Sequence, residues 1–240
     1  MRKPHAVLDL ESRRNKGLKI ERLLDLASRS DQFRLLEIGT GSGGIAHYFA
    51  THPALSCEVV AVDVEDHRVV SDGYEFHRVS DTALPFGDAS FDVVISNHVI
   101  EHVGAEEAQR HHLREVCRIL APDGVGYLAV PNRWMLMEPH YRLMFLSWLP
   151  RVLRSPYLRL LRHETHYDCE PLTQGRLERL MREANLSFQN LCVPALHEMV
   201  AIEGGGGTAR MLDRVPDRLL KLLTPIFPTL IYSLRCNLIG

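Results

Sequence analysis

The sequence lacks the features that mark membrane-spanning, secreted and strongly basic proteins. No stretch reaches the ~18 consecutive apolar residues that a membrane-spanning helix needs. The opening segment, MRKPHAVLDLESRRNKG, has no apolar centre of the kind found in signal peptides. The formal net charge is −2, so no overall positive field attracts nucleic acid. These absences predict a cytoplasmic protein without a membrane anchor.

Cysteines are few and scattered. The chain has five, an odd number, and none of them forms a Cys-x-x-Cys pair. Disulfide-stabilised secreted domains and structural zinc sites usually show cysteines at regular, short spacings. The pattern therefore predicts reduced thiols and no metal centre.

The residues that are present are typical of one large globular domain. Hydrophobic residues make up 45% and charged residues 24% of the 240, enough for a sizeable core. Short apolar runs alternate with segments of helical spacing, which favours a parallel sheet covered by helices on both faces. Because we find neither repeats nor a linker, we expect a single domain over 1–240, with a core at 17–132 and 171–240 and an insertion at 133–170.

Seven apolar runs are predicted as strands and five segments as helices. The predicted strands are Leu35–Ile38, Val59–Val62, Tyr74–Val79, Phe91–Ser96, Gly126–Val130, Ser187–Val193 and Ile226–Leu234. The predicted helices are Leu18–Ala27, Ile45–Ala50, Glu106–Leu120, Thr173–Ala184 and 210–223. Pro228 places the last strand at a sheet edge or a bulge, because proline cannot donate to a ladder of hydrogen bonds.

The most informative segment is Leu35–Ala50, LLEIGTGSGGIAHYFA. Glycines 39, 41 and 43 allow a tight turn and let a ligand approach the peptide atoms. The helix that follows presents unpaired N–H groups that suit a carboxylate or phosphate. Asp63, 20 residues beyond Gly43, ends the second predicted strand, where an acid can bind the two hydroxyls of a ribose. The segment predicts a nucleotide site.

The residues around these glycines resemble class I S-adenosylmethionine-dependent methyltransferases, and the type 11 group in particular, which is similar to ubiquinone and menaquinone biosynthesis methyltransferases. Five segments match that family's motifs in order across residues 33–132: Glu37–Gly43, Val60–Asp63, Ser80–Phe86, Ser90–Val94 and Arg114–Val130. The resemblance implies S-adenosyl-L-methionine as cofactor. It also implies an α/β, Rossmann-like, doubly wound fold, whose mostly parallel seven-stranded sheet has helices on both faces and a cap insertion after strand five.

The resemblance also implies roles for individual residues. The cofactor would be bound by Glu37, Gly39, Thr40, Gly41, Gly43, Asp63, Val64, Asp81, Thr82 and Asn97. Glu37 and the glycine backbone would hold the methionine part, Asp63 the ribose and Asp81 the amino group of adenine. Asn97 would face the reactive centre. From the residues alone, Asp81 could instead form a turn and Asn97 cap a strand.

Methyl transfer from a sulfonium is a direct displacement, so the protein mainly aligns the reactants and excludes water. A general base helps when the acceptor loses a proton. His98 and His102, with Asn97, are the predicted catalytic residues, although His102 could equally be a structural histidine. The H-x-x-E-H pattern that the two histidines form begins at a strand end and has no evident third ligand, so we predict no zinc site. His111 and His112 are predicted to be exposed.

The sequence constrains the identity of the methyl acceptor less than that of the cofactor. Nucleic-acid amino methyltransferases typically carry Asp/Asn-Pro-Pro-aromatic after strand four, where this chain has Asn-His-Val-Ile, so we expect no nucleic-acid partner. The insertion should contact the acceptor, because ligands lie at the carboxyl ends of strands in open α/β sheets. Its arginine-rich and aromatic part, 140–166, is either a cap packed on the core or a basic patch for an anionic lipid, a lipid-linked glycan or a membrane surface. Glu138 and His140 are secondary candidates for the base.

The sequence therefore predicts a methyltransferase that acts by in-line displacement on a small-molecule or lipid- or glycan-like acceptor. Two alternatives stay open. Gly39, Gly41 and Gly44 also fit the G-x-G-x-x-G pattern of nicotinamide-dependent oxidoreductases and epimerases, although no Tyr-x-x-x-Lys pair supports that activity. A catalytically silent module that binds S-adenosylmethionine would carry the same cofactor motifs.

Overall fold

The fold is organised around one large sheet. The computed structural model describes residues 9–138, 143–162, 169–204 and 206–237. The strands are β1 Phe33–Ile38, β2 Cys57–Asp63, β3 Glu75–Arg78, β4 Phe91–Asn97, β5 Leu120–Pro131, β6 Met137–Glu138, β7 Leu143–Met144, β8 Leu186–Asn190 and β9 Thr229–Cys236. The helices are α1 Leu10–Leu23, α2 Gly44–Ala50, α3 Glu106–Ile119, α4 Arg151–Arg162, α5 Gln174–Glu183, α6 Cys192–Glu203, α7 Gly207–Asp213 and α8 Asp217–Leu223.

Seven of these strands form the sheet, in the order β3-β2-β1-β4-β5-β9-β8. The first five are parallel, whereas β9 runs antiparallel to both β5 and β8. From β1 the chain continues to β2 on one side and later returns to β4 on the other. A doubly wound sheet binds its ligand at such a reversal of strand order. The predicted fold class is confirmed, and the glycine loop lies at this reversal.

Apolar residues on both faces of the strands hold the helices. Leu35 and Leu36 are adjacent on β1 and therefore point to opposite faces of the sheet. Leu36 belongs to one buried cluster with Leu113 of α3 and with residues of α5. Leu35 belongs to another with Ile20 of α1 and Ile45 of α2. Two separate cores explain why the parallel strands are almost continuously apolar.

The first helix begins earlier than predicted. It starts at Leu10 rather than Leu18, because the Asp9 carboxylate caps it by accepting hydrogen bonds from two backbone N–H groups of the first turn. It ends at Leu23 rather than Ala27, and Asp25 then adopts a left-handed φ of 52°. An aspartate followed by an acidic first turn is a recognisable helix start that the apolar periodicity alone did not reveal.

The carboxyl-terminal third differs most from the prediction. β8 ends at Asn190, and α6 occupies a segment for which no helix was predicted. Residues 210–223 form parts of two helices, interrupted before Pro216. Pro228 precedes β9, and its carbonyl accepts a hydrogen bond from the Asn132 N–H at 2.9 Å. The prediction that Pro228 places the last strand at an edge or a bulge is wrong, because Pro228 lies one residue before β9 and β9 lies between two neighbours.

Two cysteines are paired in the structure. Cys117 of α3 and Cys236 at the end of β9 form a disulfide across 119 residues of sequence, with their Cα atoms 5.0 Å apart. The prediction of reduced thiols is therefore wrong for this pair. Spacing along the chain did not reveal it, because the two residues meet only when β9 enters the sheet beside β5.

The insertion has a small core of its own. Leu143, Leu146, Leu158 and Cys169 are buried together there, with Tyr157 packed against them. Within the described ranges, no helix combines the length and apolarity needed to cross a bilayer.

Candidate active site

The glycine loop between β1 and α2 has the backbone conformation that requires glycine. Gly39 and Gly43 have φ angles of 79° and 81°, which residues with a side chain rarely adopt. A Cβ atom on Gly39 would collide with the side chain of Val99, and one on Gly43 with the Val70 carbonyl and the hydroxyl of Tyr74. The loop therefore presents bare backbone at the carboxyl end of β1.

Asp63 joins this loop to the end of β2. One carboxylate oxygen accepts a hydrogen bond from the Gly41 N–H at 2.8 Å, and the other accepts one from the Val64 N–H at 2.7 Å. The Gly39 N–H and the Thr40 hydroxyl both donate to the Val62 carbonyl, at 2.8 and 3.1 Å. The predicted ribose-binding aspartate thus lies directly against the predicted methionine-binding loop.

Glu37, the last acid of β1, is buried under the loop. Its carboxylate accepts a hydrogen bond from the Ala46 N–H of α2 at 2.9 Å. Burial raises the pKa of Glu37 to about 8, although the hydrogen bond from Ala46 and the charge of Arg13 act against this increase. The side chain therefore ties β1 to α2 beneath the glycine loop.

Asp81 and Thr82 follow β3 at the same edge. The backbone N–H of Val79 donates to the Asp63 carbonyl at 3.0 Å, which places the turn at Asp81 beside the end of β2. The exposed Asp81 carboxylate accepts a hydrogen bond from the Ala83 N–H at 2.7 Å. Asp81 therefore stabilises a turn, which is one of the two roles that the sequence allowed. The Thr82 hydroxyl lies 2.7 Å from Nδ1 of His111.

The end of β4 carries the predicted catalytic residues. The His98 N–H donates to the Ala129 carbonyl at 2.9 Å, and His98 adopts a left-handed φ of 60° directly after Asn97. Residues other than glycine adopt this conformation rarely, and such residues cluster at functional sites. His98 therefore turns away from the strand beside β5, at the edge that holds the glycine loop.

His98 and His102 flank a completely buried carboxylate. Nδ1 of His98 lies 3.4 Å and Nε2 of His102 lies 3.9 Å from the same oxygen of Glu101. Burial opposes ionisation of Glu101, but the two histidines outweigh it and hold its pKa below the ordinary value. Neither carboxylate oxygen has a well-formed hydrogen bond to another described residue. An ionised carboxylate with spare acceptor capacity can stabilise a protonated imidazole beside it.

The residues at the end of the insertion pack against the His98–His102 segment. Sγ of Cys169 lies 3.7 Å from Nδ1 of His102, and the Glu170 N–H donates to the Glu101 carbonyl at 2.9 Å. The buried Gln109 side chain of α3 donates to the Glu170 carbonyl at 3.4 Å. Sequence reasoning missed Cys169 and Gln109, because no local pattern links residues that are so far apart in the chain.

α1 covers the site from the other side and adds two cations that the sequence analysis did not predict. A Cβ atom on Gly44 would lie 2.6 Å from the side chain of Arg13, so this arginine packs on the start of α2. The pKa of half-buried Lys16 is lowered to about 8, chiefly by burial, although the Glu101 carboxylate acts to raise it. Recognising Asp9 as the start of α1 would have assigned both residues to this helix.

His112 corrects the prediction that both histidines of the pair are exposed. His111 is exposed, but His112 lies on the inner face of α3 and is buried, with Nε2 3.0 Å from the Ser96 hydroxyl of β4. Burial lowers its pKa to about 4, so the imidazole is neutral at pH 7. Consecutive residues on a helix point 100° apart, and only one of the two faces the sheet.

Two secondary candidates cannot be placed in the site. His140 lies outside the described residues, as does the side chain of Glu138. Among the residues that the structure describes, no group of three or more His, Cys, Asp or Glu side chains is arranged so that it could hold a metal ion.

Comparison with known proteins agrees with this geometry. Residues 36–128 match the family described as a methyltransferase domain. A probable S-adenosylmethionine-dependent methyltransferase of Mycobacterium tuberculosis H37Rv is 34% identical over 113 residues, which are 45% of this chain and 39% of that protein. The probable tRNA methyltransferase 9B of Mus musculus is 33% identical over 144 residues, 58% of this chain and 31% of that protein.

A third relative, the cyclopropane-fatty-acyl-phospholipid synthase of Escherichia coli K12, is 29% identical over 122 residues, 50% of this chain and 31% of that protein. The chain spans two fifths or less of the length of these three relatives. Because one of them is named as a tRNA methyltransferase, the predicted exclusion of nucleic acid is not supported.

A solved S-adenosylmethionine-dependent methyltransferase from Mesorhizobium loti has the same fold. It superposes with a TM-score of 0.57 at 15% identity, over 89% of this chain and 95% of that chain. The fold and the family match favour the methyltransferase interpretation over the nicotinamide alternative. Residues 36–128 therefore match a methyltransferase domain, and the chain shares its fold with a solved S-adenosylmethionine-dependent methyltransferase.

Proposed function

We propose that the protein is an enzyme that transfers the methyl group of S-adenosylmethionine to a small-molecule or lipid-like acceptor by in-line displacement. The observation that carries this proposal is the convergence of the glycine loop, Asp63 and the His98–His102 segment at one edge of the sheet. A single domain over 1–240 would bind both substrates, with the insertion at 133–170 contacting the acceptor.

The residues around the glycine loop fit the cofactor. Each oxygen of Asp63 accepts one backbone N–H, which leaves lone pairs for the ribose hydroxyls. Val64 is exposed beside it and would contact the adenine, with Asp81 and Thr82 at the same end. The methionine part would be held by Glu37, Gly39, Thr40, Gly41 and Gly43. The cofactor, when bound, supplies a methyl group activated on a sulfonium.

The side chains after β4 would handle the acceptor. Asn97 would face the reactive centre, and His98 or His102 would remove a proton from an acceptor that must lose one. Glu101 would act as a positioning residue, because its buried carboxylate lies 3.4 Å from Nδ1 of His98 and 3.9 Å from Nε2 of His102. Glu138 and His140 remain secondary candidates for the base.

Two observations support a lipid-like acceptor. The similarity to cyclopropane-fatty-acyl-phospholipid synthase covers half of this chain, and the basic part of the insertion, 140–166, would give peripheral contact with a membrane. The similarity to a tRNA methyltransferase favours tRNA as a second candidate.

Calorimetric titration with S-adenosylhomocysteine, and in parallel with NAD and NADP, tests the cofactor. We expect binding of S-adenosylhomocysteine alone, and loss of that binding in Asp63→Ala. The matched control is Asp88→Ala, which removes an exposed aspartate that lies before β4 and forms an ion pair with Arg118. Binding of NAD or NADP, or unchanged S-adenosylhomocysteine affinity in Asp63→Ala, would overturn the proposal.

Methyl-labelled S-adenosylmethionine then distinguishes the acceptor classes. The labelled cofactor is incubated with the protein and either a total lipid extract or total tRNA. Label in the organic phase that is lost in a His98→Gln/His102→Gln double variant is the expected result. Label in tRNA alone would replace the lipid-like acceptor by the second candidate.

A further inference from the structure

α4 presents its apolar side to solvent. Val152 and Leu160 are each 78% exposed, whereas Arg154 is only 3% exposed. Val152, Pro156 and Leu160 are spaced four residues apart and therefore share one face of the helix. A surface helix of a globular protein normally buries its apolar face and exposes its charged one. α4 departs from this rule, because it exposes Val152, Pro156 and Leu160 and buries Arg154, although Leu158 is buried as well.

The inward side of α4 is fully occupied, so the helix cannot bury these residues by rotating. Arg154 donates hydrogen bonds to the carbonyls of Leu149 and Ser147 at 3.0 and 3.2 Å. Leu158 is completely buried in the core of the insertion. Rotation would break these hydrogen bonds and empty that core. The outward apolar face is therefore a fixed property of the fold.

Two exposed aromatic residues precede α4 in the chain. Phe145 and Trp148 are exposed, and their ring centroids lie 5.2 Å apart in an edge-to-face arrangement. The Trp148 indole N–H donates to the Met135 carbonyl at 2.9 Å, which fixes the ring. We call the set Leu136, Phe145, Trp148, Val152, Leu153 and Leu160 the cap face. Exposed apolar patches of this kind mark interaction sites.

The sequence of the insertion that carries the cap face is strongly positive. Residues 133–162 contain six arginines and one glutamate, a formal charge of +5, in a chain whose total is −2. Arg159 is exposed and one residue from Leu160. This charge disfavours pairing of the cap face with a second copy, since two surfaces of the same sign would meet. Apolar and aromatic side chains mixed with arginines suit an anionic bilayer, which offers acyl chains and phosphates together.

We propose that the cap face docks on an anionic phospholipid bilayer, with Val152, Trp148 and Leu160 entering the acyl-chain boundary and Arg159 meeting lipid phosphates. This inference rests on the proposed function and specifies where a lipid-like acceptor enters. The insertion follows the carboxyl end of β5, and Asn132 pairs with Leu172 where the insertion begins and ends. The insertion that carries the cap face therefore begins and ends at the edge of the sheet that holds the site.

Co-sedimentation of the full-length protein with vesicles tests the proposal. The vesicles are phosphatidylcholine alone, or phosphatidylcholine with 30% phosphatidylglycerol, at low and high salt. We expect binding to the anionic vesicles, weakened by salt. Val152→Ser/Leu160→Ser should weaken partitioning about tenfold or more, since it removes two apolar side chains from the interface. Arg159→Gln should weaken binding to anionic vesicles only.

Matched controls lie outside the insertion. Met211→Ser removes an equally exposed apolar side chain from α7, and Arg235→Gln an exposed arginine from the opposite end of β9. Both should bind vesicles as the wild type does. A loss of binding in the controls equal to that in the cap-face variants would overturn the proposal, because the contact would then not be specific to this surface.

Two further results would also overturn it. One is that the wild-type protein does not bind anionic vesicles at low salt. The other is a dimer in sedimentation velocity that Val152→Ser/Leu160→Ser converts to monomer, which would make the cap face an interface between copies. Titration of the same samples with S-adenosylhomocysteine separates the two proposals. If cofactor binding persists while vesicle binding is absent, only the docking proposal fails.

Discussion

The burial of His112 makes the stability of the protein depend on pH in a measurable way. Its imidazole has a pKa of about 4 in the folded protein, compared with ~6.5 in an unfolded chain. Between these values the unfolded state binds more protons, so the free energy of unfolding falls as the pH falls. The loss begins below pH 6.5 and is complete below the folded pKa.

The two pKa values predict the size of this loss. Complete protonation would cost roughly 3 kcal/mol, and about 2 kcal/mol is already lost at pH 5. Urea unfolding followed by circular dichroism at pH 7 and pH 5 measures it. Wild-type protein should lose about 2 kcal/mol more over this interval than His112→Gln, which has no imidazole to protonate.

His111→Gln is the matched control, because it removes the exposed neighbour on the same helix. It should keep the wild-type pH dependence. Glu37, whose pKa is raised to about 8 by burial, contributes a slope of the opposite sign, since its folded form binds the extra proton. The test is therefore the difference in pH dependence between wild type and His112→Gln, because Glu37 contributes equally to both. Equal pH dependence in wild type and His112→Gln would show that the argument from burial is wrong.

Three other predictions concern the loop, the disulfide and a surface histidine. Gly39→Ala should weaken S-adenosylhomocysteine binding at least about tenfold in calorimetry, whereas Gly87→Ala, with open space around it, should not. Thiol titration of unfolded, unreduced protein should find three of the five cysteines free. Cys117→Ser should lower the free energy of unfolding by about 4–5 kcal/mol, as loop-closure entropy predicts. A urea unfolding curve identical to that of the wild type would contradict this. His197 bridges the aspartates that end α7 and begin α8, and its pKa is raised chiefly by the hydrogen bond to the first. Its stabilisation should be present below pH ~6.5 and lost as the pH rises, so thermal unfolding of His197→Gln should lack that dependence.

The amino-terminal half of the sheet was predictable from sequence. β1, β2 and β4 are buried on both faces and read as apolar runs, and each ends at the residues that form the site. The glycines after β1 and Asp63 after β2 are local features, because a strand, its following turn and the first residues of a helix are contiguous in the chain. The strand-loop-helix order and the place of the predicted cofactor residues at one edge follow from that continuity.

Tertiary structure decided what depends on distant parts of the chain. β9 enters between β5 and β8, and its arrival brings Cys236 to Cys117. The return from the insertion brings Cys169 to His102. Burial of one histidine of an adjacent pair depends on which side of α3 faces the sheet, and no composition rule specifies that.

The insertion also separates what the sequence determines from what only the tertiary structure determines. Its arginines and aromatic residues are evident in the sequence, but the sequence alone left both a packed cap and a basic patch open. Only the folded chain shows that Arg154 is buried and donates to the Leu149 and Ser147 carbonyls, and that Val152 and Leu160 point to solvent. Composition determines which side chains are available, whereas hydrogen bonds and packing between elements determine which of them reach the surface.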